Sequence, residues 1–204
     1  MENTETIDGV EVLPFPDEQA FAHWLSTHHT RHEGVWLKLA KKGAGIPSLT
    51  SDQAVDVGLC YGWISGQRRG LDERYYLQKY VPRRPGSLWS QVNIEKVAVL
   101  TAEGRMREPG LAEVRRAQAD GRWARAYPSQ RTATVPDDLA AALAADPAAD
   151  RAFRALDRTA RYLTVLPLLQ APTPGVRRTR LERTVRRLGA EGHTGEDPAG
   201  GATP

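Results

Sequence analysis

Apolar and polar positions in the first half of the chain follow two different periods. Residues 34–42 alternate apolar and polar side chains, which is the two-residue period of a β-strand, and the short apolar segment 11–15 is a second strand candidate. Between these segments the spacing becomes helical, with apolar Phe21 and Leu25 following Asp17. Aspartate is a favoured N-cap residue, so a helix is predicted to begin at Asp17.

The following residues predict a second helix and then a β-hairpin. Thr50 and Gln53 have the three-residue spacing of a capping box, and Gly62 suits the end of the helix that they begin. Two strand-like segments, 63–68 and 74–81, are separated by the turn-forming residues "RGLDE". In the second strand both faces carry aromatic or aliphatic groups, which indicates a sheet that is covered or used on each side.

The rest of the chain is predominantly helical in its pattern. Ser90 is placed to cap a helix over 91–103, and a later amphipathic segment, 175–188, alternates apolar residues with arginines. The sequence therefore predicts an α+β protein, in which a small antiparallel or mixed sheet with packed helices is followed by a helical C-terminal part. Three regions are expected: an α+β core over 1–125, a helical part over 136–189, and a disordered tail over 190–204.

Composition limits the class of protein. The chain has 204 residues and a net charge of +3, which is too small to indicate nucleic-acid binding by itself. Its one cysteine excludes an internal disulfide framework. The sequence has no apolar segment long enough to cross a membrane, and its acidic N-terminus lacks the pattern of a signal peptide. These features predict a cytoplasmic protein without a membrane span.

Charge is distributed unevenly along the chain. Residues 1–33 contain seven acidic side chains and one basic side chain, whereas residues 62–90 contain six basic and two acidic ones. Residues 174–188 contain six arginines and one glutamate. This asymmetry favours either an anionic ligand or attraction between the acidic and basic segments.

The common catalytic and cofactor motifs are absent from the sequence. It has no P-loop, no dinucleotide GxGxxG, no HExxH, no CxxC and no GxSxG, and the glycines of 43–45 are interpreted as a plain turn. His28 and His32 have a spacing that suits a metal, but no third ligand follows, so a solvated helix end is preferred. Cys60 is interpreted as a buried, inert thiol. No metal and no cofactor is predicted.

The segment from 62 to 93 combines arginine and lysine, which bind carboxylate or phosphate, with aromatic rings that offer stacking faces. Its "PRRPGS" motif would present arginines on a stiff segment ahead of a helix N-terminus. The predicted ligand-binding residues are Trp63, Arg68, Tyr75, Lys79, Arg83, Arg84, Trp89, Ser90 and Asn93. An equally weighted interpretation is a structural hairpin whose arginines pair with the acidic N-terminal part and whose aromatics fill the core.

Two other classes of function remain open. An enzyme acting on a small metabolite in the same cleft would use Asp72 or Tyr75 for proton transfer. A nucleic-acid-binding protein would use the basic segments 62–90 and 175–188, although a solvated face is the more usual role of such a helix.

The segments "GWISG", "DERY", "YVPRRPGSLWSQVN" and "GRMREPGL", in this order, resemble the motif order of the YdeI/OmpD-associated family of bacteriocin-protection proteins. The resemblance is strongest over about 30–125 and extends to the later segments "GRW", "TVPDDLAAAL" and "RYLTVLPLL". One departure is Ser65, because the family tends to read WIDG where this chain reads WISG. A serine there makes a catalytic carboxylate at this position a poor expectation.

The resemblance implies protection against bacteriocins or antimicrobial peptides and no established reaction. Together with the basic and aromatic segment, it leads to the hypothesis of a non-enzymatic, cytoplasmic resistance or stress protein. Its expected partner is a small anionic or aromatic molecule or peptide, with nucleic acid the less favoured partner.

Overall fold

The computed structural model of the chain describes residues 5–194, and the chain forms two compact units, an N-terminal one that ends at Ala124 and a C-terminal one that begins at Arg125. The N-terminal unit contains five strands and four helices among its described residues: β1 (Thr6–Ile7), β2 (Val10–Pro14), α1 (Glu18–His28), β3 (Val35–Ala40), α2 (Ser51–Cys60), β4 (Trp63–Gly70), β5 (Tyr75–Pro82), α3 (Gln91–Ala102) and α4 (Glu108–Ala119). The described C-terminal unit contains α5 (Asp137–Ala144), α6 (Pro147–Ala155), α7 (Arg158–Leu169) and α8 (Pro174–Thr194). The predicted α+β class is confirmed.

The strands form one mixed sheet in the order β1-β2-β3-β5-β4. β2 and β3 are parallel and are joined through α1, whereas β3–β5, β4–β5 and β1–β2 are antiparallel. The predicted hairpin is therefore present as β4 and β5. Residues that face each other across an antiparallel pair share a face of the sheet, so the register assigns each side chain to one face.

Helix starts follow the capping residues that the sequence contains. Asp17 accepts a hydrogen bond from the backbone N–H of Ala20, and Thr50 and Gln53 form the reciprocal capping box at the start of α2. Ser90 caps α3 in the same way as Asp17 caps α1. The predictions for these three helix starts are confirmed.

The first face of the sheet carries the main core of the N-terminal unit. Val35, Leu37 and Leu39 of β3 are fully buried there against Phe21 and Leu25 of α1. We call this side of the sheet the helix-covered face.

The opposite face carries a smaller apolar cluster, in which Val10 and Val12 of β2 pack with Trp36 and Leu77. Two cationic side chains lie over the Trp36 ring: the Arg69 guanidinium carbon is 4.9 Å and the Lys79 ammonium nitrogen 5.8 Å from its centroid. Both cations cover apolar surface of the ring, and the Arg69 guanidinium also pairs with the Asp8 carboxylate at 3.0 Å. We call this side the cation-covered face.

The C-terminal unit is a helical assembly with its own core, formed by Leu139, Phe153, Val165, Leu168 and Leu188 among others. α8 approaches α6 closely where glycine removes a side chain, because a Cβ at Gly192 would lie 2.8 Å from the carbonyl carbon of Ala148. The helix continues to Thr194, so residues 190–194 of the predicted tail are helical, and 195–204 lie outside the described residues.

Between residues 5 and 194, no helix is both long and apolar enough to cross a membrane.

Candidate functional site

The predicted ligand-binding residues are distributed over several parts of the N-terminal unit. Arg68 faces Gln78 across the β4–β5 pair, and Lys79 faces Trp36 across the β3–β5 pair. Since Gln78 and Lys79 are consecutive on β5, their side chains point to opposite faces of the sheet. Arg68 therefore lies on the helix-covered face and Lys79 on the cation-covered face, so the sheet separates the two basic groups.

Three of the predicted residues are buried in contacts that stabilise the fold. Trp63 is 1 % exposed, packs in the main core and donates its indole N–H to the carbonyl of His29 at 2.9 Å. The Arg83 guanidinium stacks on the Trp89 ring at 3.6 Å and donates to the carbonyl of Leu88 at 3.1 Å. Because Arg83 and Trp89 are 5 % and 1 % exposed, their stacking joins two parts of the "PRRPGSLW" segment in the interior.

The remaining polar residues of that segment shape a turn and a helix start. The backbone N–H of Arg84 donates to Ser87 Oγ at 3.0 Å, which closes the turn and leaves the Arg84 side chain exposed. Ser90 Oγ accepts the backbone N–H of Asn93 at 3.2 Å as the N-cap of α3. Much of the spacing of this segment is thus explained by local hydrogen bonds.

Asp72 and Tyr75 occupy the turn of the hairpin and the start of β5. Asp72 Oδ1 accepts the backbone N–H groups of Arg74 and Tyr75 at 2.7 and 2.8 Å, and these bonds lower the pKa of its carboxyl. A lowered pKa makes the carboxylate a weaker base. The Tyr75 ring lies between two cations, 4.9 Å from Lys38 Nζ and 5.8 Å from the Arg74 guanidinium carbon.

Arg68 reaches the helix-covered face because β4 contains a β-bulge. Residues 63–65 pair with 80–82 and residues 68–70 pair with 76–78, so Gly66 and Gln67 together oppose the single residue Lys79. In a regular strand, residues three positions apart point to opposite faces. The extra residue returns Arg68 to the face occupied by Ser65.

The Gln78 side chain forms hydrogen bonds both to the backbone of the bulge and to Arg68. Its side-chain amide donates to the carbonyls of Gly66 and Gln67 at 2.9 and 3.1 Å, and its Oε1 accepts from Arg68 Nε at 2.9 Å. Gln78 is 5 % exposed, so this buried amide satisfies backbone groups that the bulge removes from the ladder. Gln78 is a positioning residue for Arg68.

Beside Arg68, the structure forms an open cleft of about 820 Å³ that we call the Arg68 cleft. The segment 40–51, which contains the loop "KKGAGIPS" and the first residue of α2, lines one side, and Arg68 with Tyr76 lines the other. The guanidinium stacks on the Tyr76 ring at 4.7 Å and donates to Ser51 Oγ at 3.2 Å.

The Arg68 cleft is positively charged. Across the described part of the chain, the hydrogen bonds of the Arg68 guanidinium go to the neutral groups of Gln78 and Ser51, and it has no ion pair with a carboxylate. Lys41 and Lys42 add two more cations at the loop. The N-terminus of α2 lies at this cleft, since Thr50 and Ser51 line it, although the first turn contains Asp52, whose carboxylate pairs with Lys96 at 2.8 Å.

Sequence reasoning identified Arg68 but missed the other parts of this cleft. On β5, Tyr76 and Gln78 lie on the helix-covered face, whereas Leu77 and Lys79 lie on the other face. A glutamine among residues of a buried face is the signal in the sequence that indicates a buried side-chain hydrogen-bonding group. The turn at 43–45 is confirmed by positive φ angles of 88° and 66° at Gly43 and Gly45, yet this turn also belongs to the wall of the Arg68 cleft.

The basic helix of the C-terminal unit uses several of its arginines internally. Arg177 makes two hydrogen bonds to the Asp138 carboxylate, at 2.7 and 2.8 Å, and Arg180 donates to the carbonyl of Pro167 at 2.6 Å. Arg187 pairs with Glu191 one turn further along α8. These contacts reduce the number of cations that α8 offers to an external phosphate backbone.

Cys60 lies at the end of α2, beside a small cavity of about 170 Å³ that Arg105 and Arg107 also line. Burial raises the pKa of the thiol to about 11, although both arginines act in the opposite direction. Within residues 5–194, no group of three or more His, Cys, Asp and Glu side chains is arranged to hold a metal ion.

Native Cys60 is expected to react with iodoacetamide at least about a hundredfold more slowly than the unfolded thiol at about pH 8, because the thiolate is the reactive form. The alkylated fraction is measured against time by mass spectrometry, with the same protein in denaturant as the control. Equal rates for the folded and unfolded protein would contradict the prediction.

Comparison with known families divides the chain at nearly the same place as the boundary between the two compact units. Residues 132–191 match the model of a family described as Bacteriocin-protection, YdeI or OmpD-Associated. Residues 13–113 match a model described as a domain of unknown function, DUF8412. No curated protein and no solved structure matches the chain. The predicted family relationship is confirmed over residues 132–191, whereas most of the motifs that suggested it lie within 13–113.

Proposed function

We propose that this chain, whose residues 132–191 match the bacteriocin-protection, YdeI or OmpD-associated family, acts by binding a small anionic molecule in the Arg68 cleft. The observation that carries the proposal is a guanidinium that is oriented by a buried amide and an aromatic ring but has no carboxylate partner among the described residues.

The contacts of Arg68 leave part of its hydrogen-bonding capacity for a ligand. Nε is used by Gln78 and one terminal nitrogen donates to Ser51, whereas a guanidinium has five N–H donors in a planar fork. This fork matches the geometry of a carboxylate or phosphate. Since the Tyr76 ring fixes the guanidinium plane, the entropy lost when an anion binds is small.

The size of the cleft suits a small molecule. Its volume of about 820 Å³ lies within the range of ligand pockets, roughly 300–1,000 Å³. Gly43 and Gly45 keep the loop free of side chains at two positions, so a ligand has access to backbone groups there. The half-buried side chain of Ile46 lines the same loop and favours a ligand with a flat or apolar part.

In this proposal the biological role is cytoplasmic resistance to bacteriocins or other antimicrobial stress. The family description supports the role, and the charge of the Arg68 cleft supports binding of an anion as its chemistry. No reaction step is assigned, because Asp72 has the hydrogen bonds of a turn residue and Ser65 has no carboxylate.

Replacing Arg68 with glutamine is expected to weaken binding of phenyl phosphate at least about tenfold, because a charge-assisted hydrogen bond contributes about 1.5–3 kcal/mol. Isothermal titration calorimetry measures the affinity, with inorganic phosphate and phenol as probes of the anionic and aromatic parts. Thermal unfolding of Arg68→Gln establishes that the variant is folded.

Arg69→Gln is the matched control, since it removes the same charge from the next residue of β4 but on the cation-covered face. It is expected to change the affinity for phenyl phosphate less than about threefold, through long-range charge alone. Equal losses in the two variants, or no binding of phenyl phosphate by the unaltered protein, would refute the assignment of the site.

A further inference from the structure

The C-terminal unit contains a second cavity, of about 650 Å³, between the segment 130–135 and the helices α6 and α7. Its apolar lining comes from Phe153 and Leu156 at the end of α6, Val165 of α7, and Val135. Tyr162 forms part of the wall, and its hydroxyl donates to the carbonyl of Pro128 at 3.1 Å, which fixes the ring. We call this space the α6–α7 pocket.

Three arginines line the same pocket, namely Arg131, Arg158 and Arg161. The Arg158 guanidinium donates to the carbonyl of Arg131 at 3.3 Å, and Arg161 donates to the carbonyl of Arg154. Over residues 5–194 none of the three has an ion pair with a carboxylate. Their positive charges are therefore not neutralised by neighbouring side chains.

One carboxylate, that of Asp157, also lines the α6–α7 pocket. It accepts the backbone N–H of Ala160 at 2.8 Å as the N-cap of α7, so it is used by the helix. Counting the three arginines and this aspartate, the lining has a net charge of 3 − 1 = +2. An apolar cavity surrounded by excess positive charge is complementary to a molecule that is apolar at one end and anionic at the other.

We propose that the α6–α7 pocket binds an amphipathic carboxylate, whose carboxylate lies at Arg158 and Arg161. Its apolar chain lies against the accessible apolar lining, which is formed by Val135, Leu156 and the Tyr162 ring above the buried Phe153 and Val165. This site belongs to the C-terminal unit and is independent of the Arg68 cleft. The Arg161 guanidinium carbon lies 6.0 Å from the centre of the Phe153 ring, so the charged and apolar parts of the pocket adjoin each other.

The test uses decanoate and the full chain in isothermal titration calorimetry. Decanoate is expected to bind at one site with a dissociation constant of about 10–100 μM, in the range of efficient small ligands. Decyltrimethylammonium, which has the same chain and the opposite charge, is expected to bind at least about tenfold more weakly. Acetate, which lacks the chain, is expected to show no binding at the same concentrations.

Two variants locate the site. The double variant Arg158→Gln, Arg161→Gln is expected to lose at least about tenfold in decanoate affinity. Val135→Glu is expected to weaken binding in the same direction, and because Val135 is 41 % exposed this variant keeps the fold intact. Arg183→Gln, which removes an exposed charge that does not line the pocket, is the control and is expected to bind decanoate as the unaltered protein does.

Decanoate binding that is unchanged in Val135→Glu would overturn the proposal even if the double variant failed to fold. Equal affinity for decanoate and decyltrimethylammonium, or no saturable binding of decanoate, would also overturn it. Because Arg68→Gln leaves the C-terminal unit unaltered, decanoate binding in that variant distinguishes this site from the Arg68 cleft.

Discussion

Substitution of Phe21 by alanine is expected to destabilise the N-terminal unit by about 3–5 kcal/mol, which is the usual cost of removing a fully buried phenylalanine ring. Phe21 is 0 % exposed, and its ring centroid lies 5.1 Å from that of Phe15, 5.8 Å from that of Tyr80 and 6.4 Å from that of Trp24. Rings from α1, β5 and the segment after β2 thus meet at this side chain, and none of them can fill the cavity without losing its own contacts.

Urea denaturation followed by far-ultraviolet circular dichroism measures this loss as a lower midpoint with an unchanged slope. Val99→Ala is the matched control, because Val99 is 56 % exposed on α3 in the same unit, and a change of less than about 0.5 kcal/mol is expected there. A loss below about 1 kcal/mol for Phe21→Ala would show that the aromatic cluster does not hold α1 on the sheet.

The second large effect is expected for Gly110→Ala, at about 3 kcal/mol of destabilisation, because overpacking forces the backbone apart. A Cβ at Gly110 would lie 2.5 Å from the carbonyl oxygen of Leu59 and closer still to that of Cys60. Both oxygens belong to the last turn of α2, so no side-chain rotation relieves the contact. The gain of up to about 1 kcal/mol in helix propensity from glycine to alanine offsets only part of the cost.

Tryptophan fluorescence during urea denaturation measures this change, since all five tryptophans of the chain precede residue 125 and report on the N-terminal unit. Gly70→Ala is the control, because a Cβ at Gly70 in β4 meets no atom within 4 Å. A midpoint for Gly110→Ala equal to that of Gly70→Ala would mean that α4 moves away from α2 freely.

Gly110 also explains part of the motif pattern on which the family resemblance depends. Gly62 of "GWISG" has a φ of 75°, and a Cβ there would lie 3.0 Å from the carbonyl oxygen of Pro109. Two motif glycines that are distant in sequence therefore serve one contact, between α4 and the end of α2. These positions report close packing in the fold rather than contact with a ligand.

Local signals in the sequence predicted most of the elements of the N-terminal unit. The capping residues Asp17, Thr50 and Ser90 fixed three helix starts, because each interaction needs only neighbouring residues. The alternation in 34–42 predicted β3 for a similar reason, since the period of a strand is visible along the chain itself.

The arrangement of the Arg68 cleft was not accessible in the same way. Arg68 lies on the helix-covered face because a β-bulge adds one residue to β4 and so reverses the alternation of side chains between the two faces. The glycine of "WISG" does not by itself specify where the extra residue lies. Arg83 is buried because its guanidinium stacks on Trp89, six residues later. A count of basic residues treats the same arginine as an exposed charge. The loop 41–50 meets Arg68 and Tyr76 only through the tertiary fold.

The order of the strands has a consequence for how the protein behaves at high concentration. β4 lies at one end of the described sheet, and β1, with two residues, lies at the other. An open strand edge is a template for pairing with another molecule, unless it is short, irregular or charged. β1 is too short to act as a template, and β4 combines an irregular backbone with arginines pointing to both faces, so a second copy aligned along it would bring like charges side by side. The bulge residues Gly66 and Gln67, which place Arg68 in its cleft, therefore also protect the protein from edge-to-edge aggregation.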